Sequence, residues 1–88
     1  MSEFIHPNAW LLKKRNVASG LRARSQVLTV LERGEMTISD VVEKTGMSYI
    51  RVLRHLHLLE GSGVVERDSK HRPYKWSLTG LGQRRLSL

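Results

Sequence analysis

The sequence predicts a mainly α-helical domain that carries a small β-hairpin, and three observations support this fold class. Apolar residues recur at helical spacing over the first two thirds of the chain, and Gly34, Gly46 and Gly61 close the successive segments. After Gly63, apolar and polar residues follow the pattern of two short strands. The chain has 88 residues, which is enough for one such domain with a single core.

Two helices are predicted in the N-terminal third. Pro7 favours a helix start, so we expect a short helix at about 8–15 that ends in a basic trio. A second helix begins near Ser19 and closes at Gly34. Its apolar face is formed by residues at helical spacing: Ala23, Val27, Leu28, Val30 and Leu31.

The centre of the chain predicts two further helices that a tight turn joins. Ser39, after the extended segment 36–38, is placed to cap a short helix that ends at Gly46. Ser48 is placed to cap a longer helix at about 49–60. One arc of the longer helix is predicted to face the core: Tyr49, Val52, Leu53, Leu56 and Leu59.

The opposite face of that longer helix is basic. Arg51 and Arg54 lie on it, and Ser48 and His55 flank it. An α-helix fits the DNA major groove, where arginine offers a bidentate donor pair to guanine and serine or histidine offers a single contact. The alternatives are a solvated face for the two arginines and packing at the edge of the core for His55.

A basic hairpin is predicted near the C-terminus. Residues 64–67 and 74–78 have the pattern of two strands, with Trp76 in the core, and Thr79 can cap a last short helix. The loop between the strands is expected to contact phosphates or the minor groove, unless it is only a polar turn that protects the hairpin. Its basic residues are Lys70, His71 and Arg72.

A turn-linked helix pair followed by a basic hairpin is the layout of a winged helix-turn-helix, here with an extra N-terminal helix. The sequence resembles the arsenic-repressor-like (ArsR-type) winged-helix regulators over about residues 20–80. The resemblance is carried by Thr45-Gly46-Met47-Ser48, Arg54-His55-Leu56 with Leu59, Gly63-Val64-Val65 and Pro73 to Thr79. It implies DNA contact from Ser48, Arg51, Arg54 and His55, and backbone contact from Lys70, His71 and Arg72.

The chain departs from this family where a sensor would lie, because it contains no cysteine. His55 and His57 are two residues apart on one helix, so they point about 200° apart and cannot chelate one ion. We therefore expect no metal and no cofactor. The chain also lacks a glycine-rich phosphate loop, a nucleophile elbow and an HExxH pair, so it is not predicted to be an enzyme.

The formal net charge of +7 favours a polyanionic partner. Residues 64–88 hold six Lys and Arg against two Asp and Glu, whereas the charges of residues 37–63 balance. No apolar run approaches the roughly 18 residues that span a bilayer. The N-terminus lacks a signal-peptide layout, so we expect no membrane association and a cytoplasmic, nucleoid-associated protein.

The function predicted from these features is that of a transcriptional regulator that binds specific sequences in double-stranded DNA. The alternatives are a winged-helix docking module for proteins and a non-specific architectural DNA-binding protein. Residues 19–88 would form the DNA-binding domain, and residues 1–18 a helical extension that joins two copies. A homodimer is expected because operator symmetry favours two-fold protein symmetry. The candidate interface residues, which could instead cap the domain's own core, are Trp10, Leu11 and Leu12.

Overall fold

The computed structural model describes residues 5–11 and 16–80 of the chain. Three α-helices pack with a three-stranded antiparallel sheet, which confirms the predicted mainly α-helical domain with a β-hairpin. The elements are a 3-10 helix Pro7–Ala9, α1 Ala18–Leu31, β1 Met36–Thr37, α2 Ile38–Thr45, α3 Tyr49–Gly61, β2 Val65–Asp68 and β3 Lys75–Leu78. In the described part of the chain, no helix has the length and apolar character needed to cross a membrane.

The N-terminal helix is shorter than the predicted span of 8–15. Pro7 does begin it, but the helix is a single 3-10 turn that ends at Ala9, and the backbone of Trp10 after it is extended. His6 caps the turn, because its Nδ1 atom accepts a 3.1 Å hydrogen bond from the backbone N–H of Asn8. Residues 12–15, which include Leu12 and the basic trio, lie outside the described residues.

The cap predicted for α2 at Ser39 is wrong, and Thr37 takes that position. The Thr37 hydroxyl accepts a 3.1 Å hydrogen bond from the N–H of Asp40, whose carboxylate accepts a 3.2 Å bond from the N–H of Thr37. This reciprocal pair needs an acidic or amide side chain three residues after the cap, and Ser39 has Val42 there. Gly46 ends α2 as predicted, with a left-handed φ of 74°.

Helix α3 begins as predicted, with Ser48 as its cap. The Ser48 hydroxyl accepts a 3.3 Å hydrogen bond from the N–H of Arg51. Three members of the predicted apolar arc are fully buried, namely Val52, Leu56 and Leu59. Tyr49 was also predicted to face the core, but it is 53% exposed. Instead of joining the core, Tyr49 lines a cleft with Ile38 and Tyr74.

The predicted hairpin is the main part of a sheet with strand order β1-β3-β2. β1 is the short extended segment of the sequence, and it pairs with β3 in the register Met36 to Trp76. On the other side of β3, Arg67 of β2 pairs with the same tryptophan. Trp76 is buried, as predicted. The last predicted helix, beyond Thr79, falls in residues 81–88, which lie outside the described part of the chain.

The N-terminal segment is fastened to α1 by polar contacts in the interior. The N–H of His6 donates a 2.7 Å hydrogen bond to the hydroxyl of Ser25. The Nε atom of Arg24 donates a 2.7 Å bond to the carbonyl oxygen of Ala9. Both side chains on α1 are buried, so these bonds form out of water, where an unpaired polar group is costly.

Candidate nucleic-acid interface

Helix α3 presents a basic face to solvent. Arg51 and Arg54 are both exposed, and neither guanidinium forms a hydrogen bond or ion pair with another described residue. Ser48 is also exposed, and its hydroxyl accepts the capping bond while its own hydrogen stays available for donation. These three predicted contact residues therefore lie on one accessible surface.

Two large apolar residues that were not among the predicted contact residues are also exposed at the start of α3. Tyr49 is 53% exposed and Ile50 is 74% exposed, both in the first turn of α3. Large apolar side chains at such exposure on a helix that also carries free arginines are typical of a contact surface. The available signal was Ile50 itself, an isoleucine outside the predicted apolar arc.

His55 differs from the other predicted contact residues because it is only 8% exposed. Burial lowers the pKa of its imidazole, and the positive charges of Arg24, Arg51 and Arg54 lower that pKa further. Its Nδ1 atom is buried and has no hydrogen-bond partner. This position favours packing between α1 and α3 over direct contact with a base.

The turn between β2 and β3 forms, with those two strands, the wing of the fold. Its predicted contact residues Lys70, His71 and Arg72 are all exposed. The carboxylate of Asp68 accepts a 3.0 Å hydrogen bond from the N–H of Lys70, which fixes the start of the turn. Arg72 donates a 3.2 Å bond from Nε to the hydroxyl of Tyr74, and its guanidinium lies 5.4 Å from the centre of that ring. The aromatic contact orients one wing cation while leaving it exposed.

The wing and the start of α3 border the same cleft. Tyr49, Arg72 and Tyr74 line this cleft of about 240 Å³ together with the first residues of α2. Farther along α3, the ring of His57 lies 5.8 Å from the ring of Trp76 in β3. These contacts join α3 to the hairpin at two points. Arg51 and Arg54 do not line the cleft at the wing, so they and the wing cations are two exposed basic clusters on adjoining elements.

The residues predicted for a dimer interface differ in how far they are buried. Trp10 is 52% exposed, whereas Leu11 is 7% exposed and belongs to the core of its own chain. Leu12 lies outside the described residues. Trp10 is therefore the described member of the set that is available to a second copy.

Histidine geometry on α3 offers no shared ligand site. His55 is buried toward α1, whereas His57 is exposed and faces the ring of Trp76. Across residues 5–11 and 16–80, no three His, Cys, Asp or Glu side chains come close enough together to hold a metal ion.

The sequence matches a family model described as bacterial regulatory protein, arsR family, over residues 22–67. No curated protein sequence matches the chain. Among solved structures, the homodimeric winged helix-turn-helix DNA-binding domain Mb0332 from Mycobacterium bovis is 26% identical, with a TM-score of 0.65 over 73% of this chain and 59% of that one. The transcriptional regulator YodB from B. subtilis is 25% identical, with a TM-score of 0.68 over 78% of this chain and 72% of that one.

A third similar structure is BpsR from Bordetella bronchiseptica, which is 23% identical and has a TM-score of 0.67. That match covers 74% of this chain but 49% of BpsR, so the chain spans about half the length of that relative. The family match covers more than half of the present chain, and its residues include α2, α3 and most of β2. The chain belongs to the arsR family of bacterial regulatory proteins, and its fold is that of the DNA-binding winged helix-turn-helix regulators.

Proposed function

We propose that the protein is a transcriptional regulator that binds specific sequences in double-stranded DNA. α3 would lie in the major groove, and the β2–β3 wing would contact the backbone or the minor groove. The observations that carry this proposal are the exposed, unpaired arginines of α3 and the exposed cations of the wing, on two elements that border one cleft.

Arg51 and Arg54 are proposed as the base-reading residues. They are three positions apart on α3, so they share a face and differ by about 4.5 Å along the helix axis. Each guanidinium is free to make a bidentate contact with a guanine. Ser48 would donate a single bond, and Ile50 would pack against a thymine methyl group.

The wing is proposed to contribute affinity more than sequence preference. Lys70 and Arg72 are exposed cations at the turn, and contacts of this kind to phosphates depend on salt and not on base identity. His71 lies between them and would contact the backbone in the same way. His55, in contrast, is proposed to pack between α1 and α3 and not to contact a base.

We propose that the protein acts as a homodimer. Support comes from the exposed Trp10 next to the buried Leu11, and from the homodimeric M. bovis domain that shares the fold. A two-fold dimer presents two copies of α3 to an operator with matching symmetry. The protein would act at the nucleoid in the cytoplasm, by binding and not by catalysis, without a metal or cofactor.

Selection from a pool of random DNA duplexes tests this function. The expected result is enrichment of a palindromic site, which Arg54→Ala should bind more weakly and Arg33→Ala as well as wild type. Arg33 is an exposed cation that follows α1 and lines neither the cleft at the wing nor the one beside Arg51 and Arg54, so its variant controls for the loss of one charge. Absence of binding at low salt would instead favour the docking module, and equal competition by any duplex would favour the architectural protein.

A further inference from the structure

A cleft of about 410 Å³ lies between the start of α1 and the basic face of α3. It is separate from the cleft at the wing. Three of its lining residues are arginines, namely Arg24, Arg51 and Arg54, and no acidic residue lines it within the part of the chain that the structure describes. Three cations without a carboxylate among them make a strongly positive cavity.

Arg24 is the least expected of the three, because it is only 3% exposed. Its Nε atom donates to the carbonyl of Ala9, and its Nη2 atom lies 3.2 Å from the side-chain oxygen of Asn16. Neither acceptor is charged, and Nη1 has no partner among the described residues. Burial accordingly lowers the pKa of Arg24. A buried guanidinium without a counter-ion, at the wall of a cleft, is typical of a site for an anion.

The first turn of α1 borders the cleft through Val17, Ser19 and Gly20. Val17 is the N-cap, it provides no side-chain hydrogen bond, and the first turn holds no acidic residue. The N–H groups at this positive end of a 14-residue helix are therefore not capped by a side chain. Gly20 also makes room for the arginine, because a Cβ atom there would lie 2.8 Å from Nη1 of Arg24.

His55 is a second buried polar group at the wall of this cleft, and its surroundings are cationic. Its imidazole lines the cleft, is more than nine-tenths buried, and has a buried Nδ1 atom without a hydrogen-bond partner. The charged groups that face it are Arg24 on α1 and Arg51 and Arg54 on α3. A negative charge in the cleft would offset the three cations that now surround this ring.

The remaining walls are apolar, from Leu11, Val17 and Leu58. A volume near 410 Å³ exceeds that of a bare phosphate and falls in the range of small-molecule sites. We propose that this cleft binds a small organic anion whose carboxylate or phosphate group lies among Arg24, Arg51, Arg54 and the start of α1. The apolar body of the ligand would pack against the three aliphatic side chains.

Two of these arginines are also the proposed base-reading residues, and this part of the inference rests on the proposed function. A bound anion would neutralise Arg51 and Arg54 and hold them against α1, away from a DNA groove. Ligand and DNA would then compete for the same two guanidinium groups. Binding of the anion in the cleft would then release the DNA.

Direct binding is tested first, without DNA, by NMR titration of the 88-residue chain with sodium benzoate at constant ionic strength. Benzamide, which has the same shape without the charge, is the ligand control. Saturable shifts at the His55 imidazole and at the Gly20 amide are expected with benzoate only. Equal shifts with benzamide, or none with benzoate, would overturn the proposal. Saturation by inorganic phosphate but not by benzoate would identify a subsite for the DNA backbone and overturn the organic ligand.

Matched variants locate the site. Arg24→Met should weaken benzoate binding about tenfold, since it removes a charge-assisted contact, whereas Arg33→Met should bind as wild type does. Gly20→Ala is the second variant, because it leaves every cation in place, and alanine is a better helix former than glycine. Its Cβ would displace Nη1 of Arg24 and weaken binding in a protein that remains folded. Unchanged benzoate binding in folded Gly20→Ala would overturn this location.

The competition is then measured by fluorescence anisotropy on a labelled duplex, with sodium benzoate exchanged for sodium chloride at equal ionic strength. Saturating benzoate should raise the apparent Kd for DNA about fivefold or more in the wild type. In Gly20→Ala the same exchange should have little effect. If no duplex binds at low salt, the proposed function fails, and the titration without DNA still decides whether the cleft is a ligand site. If DNA binds, and benzoate occupies the cleft without weakening DNA binding, the proposed competition is disproved.

Discussion

The Nε2 atom of His6 lies 2.9 Å from Oε1 of Glu32, where a fully buried imidazole meets a partly exposed carboxylate. The Nδ1 atom of the same ring accepts a hydrogen bond from the N–H of Asn8, so the neutral ring carries its hydrogen on Nε2 and donates it to Glu32. This contact anchors the N-terminal segment to the residue that follows α1.

Removal of the carboxylate should therefore destabilise the fold. Glu32→Ala leaves the buried Nε2–H without its acceptor, and we expect the free energy of unfolding to fall by about 1–3 kcal/mol. Glu32→Gln keeps an acceptor oxygen and should cost less. Urea denaturation measures both, with Glu35→Ala as control, because Glu35 forms only an exposed 3.9 Å pair with Lys75. Equal losses for Glu32→Ala and Glu35→Ala would contradict the anchoring role.

The loss of a positive charge should change DNA binding differently in α3 and in the wing. Arg54→Ala should cost about 1–3 kcal/mol on a selected site and relax base preference at one position. Lys70→Ala should weaken all duplexes alike and reduce the slope of log K against log salt by about one unit. Anisotropy titrations on selected and scrambled sites at several salt concentrations separate the two effects. If Arg54→Ala binds the selected site as tightly as wild type, the base-reading role is wrong.

The proposed contact between Ile50 and a thymine can be tested by removal of the thymine methyl group. If it packs on a thymine, replacement of that thymine by uracil, which lacks the methyl, should weaken wild-type binding. Ile50→Ala should lose the discrimination between the two bases while keeping its stability, since the side chain is 74% exposed. Each thymine of the selected site is replaced in turn and the affinities are compared. Ile50 has no such role if every thymine-to-uracil difference persists in the variant.

Substitution of Trp10 should affect dimerisation, whereas substitution of its neighbour Leu11 should affect folding stability. Trp10→Ser should shift sedimentation from dimer to monomer with little change in thermal stability, because the side chain is half exposed in one copy. Leu11→Ala should instead cost about 2 kcal/mol or more of unfolding free energy, because it removes part of the core. A Trp10→Ser protein that still sediments as a dimer would exclude Trp10 from the interface.

The lowered pKa of His55 makes stability depend on pH. The unfolded chain binds its proton near the ordinary pKa of 6.5, whereas burial and the neighbouring arginines hold the folded value lower. Stability from this residue is thus complete above about pH 6.5 and is lost as the pH falls toward the folded pKa. Urea denaturation at about pH 7.5 and pH 5 should show a smaller acid loss for His55→Leu than for wild type. Equal acid-induced losses of stability in wild type and His55→Leu would exclude His55 as the source of the pH dependence.

Local signals in the sequence were enough to predict the caps and turns that depend on neighbouring residues. Ser48 and Gly46 lie where the sequence predicts, because a serine before an apolar run and a glycine after one serve local hydrogen bonds and backbone angles. Ser39 failed as a cap because Thr37 has the better partner in Asp40. That choice depends on a reciprocal pair that the single-residue preference does not contain.

The parts of the site that the sequence did not predict depend on tertiary packing. The helical period places Tyr49 in the apolar arc, but its exposure depends on which other elements pack against the start of α3. Arg24 lies among apolar residues of α1 and became notable only through its contact with Ala9, fifteen residues away. The cation cluster around His55 likewise joins two helices that are distant in the chain.

The position of β3 between β1 and β2 has a consequence for how the wing can evolve. β3 is hydrogen-bonded on both sides, and Trp76 pairs with Met36 on one side and with Arg67 on the other. Insertions or deletions at the tip of the turn, between Asp68 and Arg72, would leave this register, and the core beneath it, unchanged. Wing length is therefore free to drift between relatives, and groove contacts at the tip can diversify without any compensating change in the helices.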